Sequence, residues 1–283
     1  MGGYRTGEEW GQRVVIFLQY LLPQHLLSSL MFRFARIKIP WIKNSFTNWF
    51  VANYKVNLSE AERENIKDYK HFNDFFTRSL KKNSRPISSL PVISPVDGVV
   101  SQAGNINKSE IVQAKGKKYS VPALLDDKSF DTDYFNSFTT IYLSPKDYHR
   151  IHMPCDGDLV SMKYIPGDLF SVNQRTVNGI DQVFARNERL VCFFNTEFGE
   201  MAFILVGAIF VGSMETSWEG QITPPYSKSV KNYNYKDQKI RLKKGDELGR
   251  FNMGSTVIIL TTNDFPNLSL EKGQALKMGQ SIT

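Results

Sequence analysis

Along the first fifty positions apolar residues recur every three or four places and predict three short helices. Val14, Phe17, Leu18, Leu21 and Leu22 fall on one face, and Pro23 ends that run. Leu27, Leu30, Met31 and Phe34 resume the pattern, and Ile42, Phe46, Trp49 and Phe50 form a third stripe. A membrane-spanning helix needs roughly 20 consecutive apolar residues, so none of these stretches is expected to span. Their polar side holds Arg13, Arg33, Lys38 and Lys43, with Trp10 and Trp41 nearby. Basic residues, tryptophans and an apolar stripe suit helices lying in a membrane interface. A cap over the protein's own core, or a dimer contact, explains the same stripes, and the readings are compatible.

Leu58-Ser59-Glu60-Ala61-Glu62 predicts a further helix start, with Ser59 as N-cap and Glu62 closing a capping box. Phe72, Phe75, Phe76 and Leu80 continue a helical pattern that Ser84-Arg85-Pro86 ends. From Pro91 the texture changes. Short runs rich in Val, Ile, Thr and Phe at 98–100, 139–143, 190–194, 201–212 and 256–260 alternate with Gly, Pro, Asn and Asp. The expected fold class is α+β: N-terminal amphipathic helices followed by a mainly antiparallel or mixed β core. The expected division is a helical membrane-associating region at 1–88 and a β-rich catalytic domain at 89–283. Residues 267–283 read as a frayed polar tail.

With 283 residues, 41% of them hydrophobic, the chain has material for a sizeable core. Its 35 Lys and Arg against 28 Asp and Glu leave a formal charge of +7, which favours an anionic partner, nucleic acid or a membrane surface. Cys155 and Cys192 lack metal-ligand spacing and cannot form a disulfide framework, so buried free thiols in a reducing compartment are expected, and no metal. Glu8 and Glu9 stand where a signal peptide would be basic.

Three segments carry candidate chemistry. His149 and His152 lie in Ser144-Pro145-Lys146-Asp147-Tyr148-His149-Arg150-Ile151-His152-Met153-Pro154. A strand would point them to opposite faces, whereas a helical turn begun by Ser144-Pro145 would put them on one. Ser94-Pro95-Val96-Asp97-Gly98 reads first as a turn, and Asp97 becomes catalytic only beside a partner such as His152. Leu248-Gly249-Arg250-Phe251-Asn252-Met253-Gly254-Ser255-Thr256 leads straight into the strand at 256–260. Glycine leaves its carbonyl unshielded, so a neighbouring hydroxyl can reach it if the backbone is held bent.

Together and in this order, these segments resemble phosphatidylserine decarboxylase proenzymes across nearly the whole chain. The resemblance rests also on His71-Phe72-Asn73-Asp74-Phe75-Phe76-Thr77-Arg78 with Arg85-Pro86-Ile87, and on Pro166-Gly167-Asp168-Leu169-Phe170-Ser171-Val172-Asn173. Phe184-Ala185-Arg186-Asn187-Glu188-Arg189, Val206-Gly207-Ala208 and Val211-Gly212-Ser213 complete it. The family's usual Leu-Gly-Ser-Thr has Met253 in place of its leucine, a volume-conserving swap that leaves Gly254 and Ser255 intact.

The resemblance implies that Asp97, His152 and Ser255 act as a triad on the chain's own backbone. His152 would take the Ser255 proton while Asp97 orients the imidazole. The hydroxyl would attack the Gly254 carbonyl to give an ester, and β-elimination would free a large chain, 1–254, leaving a dehydroalanine whose hydrolysis with loss of ammonia caps the small chain, 255–283, with a pyruvoyl group. That covalent cofactor would bind the amine of phosphatidylserine as a Schiff base and act as electron sink while carbon dioxide leaves, giving phosphatidylethanolamine. His149 is expected to contact the substrate or move a proton. The resemblance also favours an anionic membrane surface over nucleic acid as partner, with a peripheral place on the cytoplasmic face of the cell membrane, and it allows a homodimer.

Two rivals stand beside it. One is a serine hydrolase using the same three residues, although Ser255 lacks the Gly-x-Ser-x-Gly elbow. The other is a non-catalytic membrane scaffold, which leaves the complete set of reactive residues without a use.

Overall fold

The computed structural model describes residues 7–114, 116–131, 133–210, 213–252 and 255–283. Met253, Gly254, Val211 and Gly212 lie outside the described residues, as does the side chain of Arg13.

Three helices open the chain: α1 (Gly7–Leu21), α2 (Gln24–Phe34) and α3 (Pro40–Tyr54). Pro23 separates the first two, which meet at 85°. Among the described residues no single helix is long and apolar enough to cross a membrane. Pro40 starts α3 from its first turn, where the missing N–H costs nothing, and Lys55 ends it in the left-handed region at φ 54°.

The orientation of these helices departs from the usual rule. Gln19, Gln24 and Ser28 face inward, while Val14, Phe17, Leu18, Leu21, Leu26 and Leu30 are exposed. The inward polar groups tie the helices to loops of the β region. The Gln19 amide donates to Thr176 Oγ1 at 3.2 Å, and its carbonyl oxygen accepts from the Ser171 N–H at 2.9 Å. Gln24 accepts from the Leu169 N–H at 2.6 Å, and Ser28 Oγ accepts from the Phe210 N–H at 3.1 Å. Lys43, expected on the outer polar side, instead points inward. Its ammonium donates to the carbonyls of Ile66, Lys67 and Tyr69 at 3.2, 3.2 and 2.8 Å.

The helix expected to start at Ser59 does not form. Asn57 Oδ1 accepts from both the N–H and the hydroxyl of Ser59 at 3.0 and 2.8 Å, which closes a local turn instead. The next helix is the short α4 (Phe72–Phe76), capped by His71, whose Nδ1 accepts from the Asp74 N–H at 3.0 Å. Phe72, Phe75 and Phe76 pack with Phe50, Ala35, Val56 and Tyr69 into a small aromatic core.

The rest is α+β with an antiparallel centre. We label β1 (Gly98–Asn105), β2 (Ser137–Leu143), β3 (Arg150–His152), β4 (Gly157–Ile165), β5 (Arg189–Thr196), β6 (Gly199–Val206), β7 (Met214–Thr216), β8 (Glu247–Phe251) and β9 (Ser255–Thr261). Among the described residues a nine-stranded sheet runs Lys231–Asn234, β4, β5, β6, β9, β2, β1 and Ala275–Leu276, with Arg241–Leu242 also on β4. A four-stranded sheet runs Gly220–Gln221, β7, β8 and β3. Every residue of β9 is buried, so this central strand reads as an apolar run without alternation. Cys155 and Cys192 are free and buried within this core.

Residues 267–283 are not a frayed tail. Ala275–Leu276 pairs with the start of β1, and Ile282 is buried with its N–H on the Val92 carbonyl at 3.1 Å. Polar composition hid the two apolar anchors, Leu276 and Ile282, that fix it.

Candidate active site

Ser255 is the first residue of β9. Its partner on β2 is Leu143, and Thr256 is opposite Val206 of β6. Continuing that register by one residue sets Gly207 beside Ser255. The Gly207 N–H donates to the Glu188 carbonyl at 2.8 Å, in line with Arg189 opposite Val206. Glu188, Gly207, Ser255 and Leu143 therefore form one row across four neighbouring strands. Residues directly opposite in an antiparallel sheet share a face, and Gly207 contributes no side chain to it. A methyl group built there would lie 3.4 Å from Glu188 Oε2, so the carboxyl lies over the glycine of this row.

Both polar side chains of that row are buried without a full set of partners. Among the described residues Ser255 Oγ has no hydrogen bond, and neither has Glu188 Oε2, although Glu188 Oε1 accepts from Tyr164 at 2.7 Å. Burial pushes the Glu188 carboxyl up to about 7, so it can take up or release a proton near neutral pH. Glu188 stands in a quoted motif but was not singled out by sequence. The signal that finds it is the register placing a glycine between it and the serine.

The backbone before Ser255 is anchored. Asn252 donates through Nδ2 to Ser213 Oγ at 2.5 Å and to Glu215 Oε1 at 3.0 Å, while its Oδ1 accepts from Asn73 at 2.8 Å. Its own N–H bonds the Ser213 carbonyl at 3.0 Å. Gly254, the expected cleavage residue, lies outside the described residues, between this anchored asparagine and the fixed strand.

The two histidines are not on a helical turn. Ser144 to Asp147 closes a β-turn in which Asp147 Oδ2 accepts from the Ser144 N–H and hydroxyl at 2.8 and 2.7 Å. His149 follows it in irregular chain, and His152 ends β3. His149 Nδ1 is 2.8 Å from the Asp147 carbonyl, which can only accept, so Nδ1 carries the proton and Nε2 keeps its lone pair. That Nε2 is buried without a partner, and the ring packs on Phe76 with centroids 4.2 Å apart. Burial lowers its pKa to about 3, so the imidazole is neutral. By the same reasoning His152 donates from Nδ1 to the Gly245 carbonyl at 2.8 Å, and its Nε2 accepts from Tyr148 at 3.0 Å. Burial lowers the His152 pKa too.

Asp97 directly precedes β1, where Gly98 is required: a Cβ there would lie 2.6 Å from the Tyr142 carbonyl oxygen. The Asp97 carboxylate is buried and accepts from Arg85 Nε at 2.8 Å, Arg85 NH2 at 2.5 Å, Lys277 at 3.1 Å and the Met278 N–H at 2.9 Å. Burial raises its pKa, but Arg85, Met278 and Lys277 outweigh that and hold it below the ordinary carboxylate value. Asp97 is thus joined to Arg85 rather than to His152, and Ser255 hydrogen-bonds neither. Proximity still links the three segments. The His152 N–H donates to the Pro95 carbonyl at 2.9 Å, and the Asp97 charge favours the protonated form of both imidazoles. The remaining histidines have structural uses: His71 caps α4, and His25 packs edge-on to Tyr226 at 5.1 Å.

A protein-family model described as Phosphatidylserine decarboxylase matches residues 72–283, and a second, described as PSD, matches 14–55. Proteins named phosphatidylserine decarboxylase proenzyme are similar over nearly the full length. One from Pseudomonas fluorescens is 48% identical over 280 residues, covering 96% of this chain and 97% of its own. One from Methylobacillus flagellatus is 50% identical over 245 residues, 86% and 88% of the two chains, and one from Francisella philomiragia is 49% identical over 267 residues, 93% and 94%. Asp97, His149, His152 and Ser255 all fall within the residues that the first model matches, and the chain belongs to the phosphatidylserine decarboxylase family.

Proposed function

We propose that this enzyme cuts itself between Gly254 and Ser255, that Ser255 becomes a pyruvoyl group, and that the matured protein converts phosphatidylserine to phosphatidylethanolamine and carbon dioxide in phospholipid biosynthesis. The observation that carries this is the buried Ser255 hydroxyl, without a hydrogen bond at the head of a fully buried strand and facing a carboxyl across a glycine. A hydroxyl kept only for structure would be expected to have a partner.

The residues present fit such a group. Gly207 places no side chain between residue 255 and Glu188, and among the described residues Glu188 and His149 each present an unpartnered polar atom. When formed, the pyruvoyl ketone supplies an electron sink for the bond that breaks as carbon dioxide leaves. The chain's own residues do the rest. Leu143 and Thr256 hold residue 255 in register, and Phe76 covers His149. Glu188 keeps a proton at hand on a carboxyl whose Oε2 is free.

For self-cleavage, His152 takes the Ser255 proton, and Asp97 stabilises the imidazolium through its charge. This requires Tyr148 to release His152 Nε2. A second reading is favoured by the unpartnered Nε2 of His149: that histidine is the base for cleavage, and His152 with Tyr148 serves the substrate.

The exposed apolar faces of α1 and α2, with Arg33 and Lys38 exposed nearby, support seating on the cytoplasmic face of an anionic membrane. The substrate would enter from that surface. The division into a membrane-associating region at 1–88 and a catalytic domain at 89–283 follows the same reading.

Replacing Ser255 with Ala is expected to leave an uncut chain without a reactive carbonyl and without carbon dioxide release. Normal splitting of that variant on a denaturing gel overturns the assignment. Asp97→Asn should slow cutting severely, and comparing His149→Ala with His152→Ala identifies the cleavage base.

A further inference from the structure

Arg78 closes the motif that begins at His71, and its guanidinium is buried without a counter-ion. The residue is 3% exposed, and its Nε and NH1 have no hydrogen-bond partner. NH2 donates to the Lys146 carbonyl at 3.1 Å, and the guanidinium carbon stands 5.4 Å from the Phe75 ring centroid. Burial lowers its pKa, against weaker opposing effects that include the charges of Asp97, Asp147 and Glu60. An arginine cannot shed its proton in ordinary conditions, so a buried, half-satisfied guanidinium calls for an anion.

Arg78 lines a cavity of about 200 Å³. Lys55 and Lys146 line it as well, and among the described residues neither forms an ion pair. Of the acids in its wall, Asp97 binds Arg85 and Lys277, Glu60 binds Arg85, and Asp147 accepts from Ser144 and keeps its charge. Five cations against three carboxylates leave the wall net positive, and among the described residues Lys55, Arg78 and Lys146 form no ion pair. Its volume is below the roughly 300–1,000 Å³ of drug-sized pockets, which suits a small oxyanion and excludes an acyl chain. Tyr148, also in the wall, hydrogen-bonds His152 Nε2 and so joins the cavity to the candidate active site.

We propose that this cavity is an oxyanion site for a phosphate-type group, with Arg78 as its central ligand and Lys55 and Lys146 as flanking charges. Resting on the function proposed above, the group is the phosphodiester of the lipid headgroup. Free phosphate shares the chemistry and is the other source. A guanidinium makes strong charge-assisted hydrogen bonds to phosphate oxygens, and among the described residues Arg78 keeps Nε and NH1, one on each edge beside NH2, without a partner.

The test uses the full chain carrying Ser255→Ala, so that binding is read without turnover. Glycerophosphoserine, inorganic phosphate and serine are titrated by calorimetry. Glycerophosphoserine is expected to bind and serine to bind far more weakly, with Arg78→Gln weakening the phosphate-bearing probe about tenfold or more. Lys146→Gln, an exposed position that leaves the buried arginine in place, should weaken it by about two- to fivefold, and both losses should shrink at high salt. Tighter binding of glycerophosphoserine than of phosphate identifies the headgroup as the source. Equal or tighter binding of phosphate identifies the free anion and leaves the oxyanion site standing. Absence of binding by both phosphate probes, or unchanged binding in Arg78→Gln and Lys146→Gln, overturns the site. Carbon dioxide release by the unmutated protein is measured separately. Its failure with anion binding intact removes the decarboxylase reading alone.

Discussion

The β core and the first two helices bury opposite kinds of residue. In β6 and β9 the interior is Phe203, Ile204, Leu205, Val257, Ile258 and Ile259, all 2% exposed or less. In α1 and α2 the buried residues among those described are Gln19, Gln24 and Ser28, with Ile16 and Met31 partly buried against the two cores, while Phe17, at 62% exposed, and Leu21, at 66%, point away from the protein. The sheet is held by apolar burial, worth roughly 25 cal/mol per Å². The helices are pinned largely by directed hydrogen bonds and leave much of their apolar area exposed. The difference teaches that an amphipathic stripe gives a periodicity and not a direction. Which side faces the protein is decided by what the other side meets.

The largest expected effect tests this contrast directly. Phe203→Ala should cost about 3–5 kcal/mol of stability, because it opens a cavity in a close-packed sheet. Phe17→Ala should change stability by less than about 0.5 kcal/mol while weakening binding to phosphatidylserine-containing vesicles. Urea unfolding of the Ser255→Ala chain and vesicle flotation read the two halves. Equal destabilisation by both changes would make α1 an ordinary packed helix.

Next is the pH dependence carried by the core. The folded Glu188 carboxyl titrates at about 7 rather than at its ordinary value of 4.5. A raised carboxyl pKa means that the folded state binds the extra proton. The stability it contributes is complete below the ordinary value and is lost as pH rises through about 7, roughly 3 kcal/mol in all. Glu188→Gln should flatten that part of the stability profile, as read from unfolding midpoints between pH 5 and 8. An unchanged slope would contradict the burial argument.

A smaller effect separates two lysines near α3. Lys43→Met removes a donor shared by three carbonyls and should destabilise by about 1–3 kcal/mol. Lys38 is exposed, so reversing its charge together with Arg33 should leave unfolding unchanged. That double reversal should weaken vesicle binding by about 1 kcal/mol per charge removed, less at high salt.

Much of this was legible in sequence. The short Val-, Ile-, Thr- and Phe-rich runs after Pro91 announced a β core, antiparallel or mixed, and Pro23 marked the break between α1 and α2. Backbone bonds join the candidate segments, His152 to Pro95 and Phe251 to His149, while Asp97, His152 and Ser255 share no hydrogen bond among the described residues. What sequence hid were directions and long-range partners. Lys43 belonged by spacing to the polar face, yet three carbonyls lie within reach of its ammonium. Asp97 was expected on His152, but Arg85 and the C-terminal segment hold it. That segment read as a tail because its anchors, Leu276 and Ile282, are isolated among polar residues. Glu188 reaches Ser255's row only through a register between strands distant in sequence, which no local pattern encodes.

The central claim is that the peptide bond before Ser255 is broken by the chain itself and leaves a ketone. Intact mass spectrometry of the purified, active protein after treatment with a carbonyl-reactive probe tests it most directly. The account predicts two polypeptides divided between residues 254 and 255, with the probe on the smaller one. An active protein that remains one unmodified chain would contradict it.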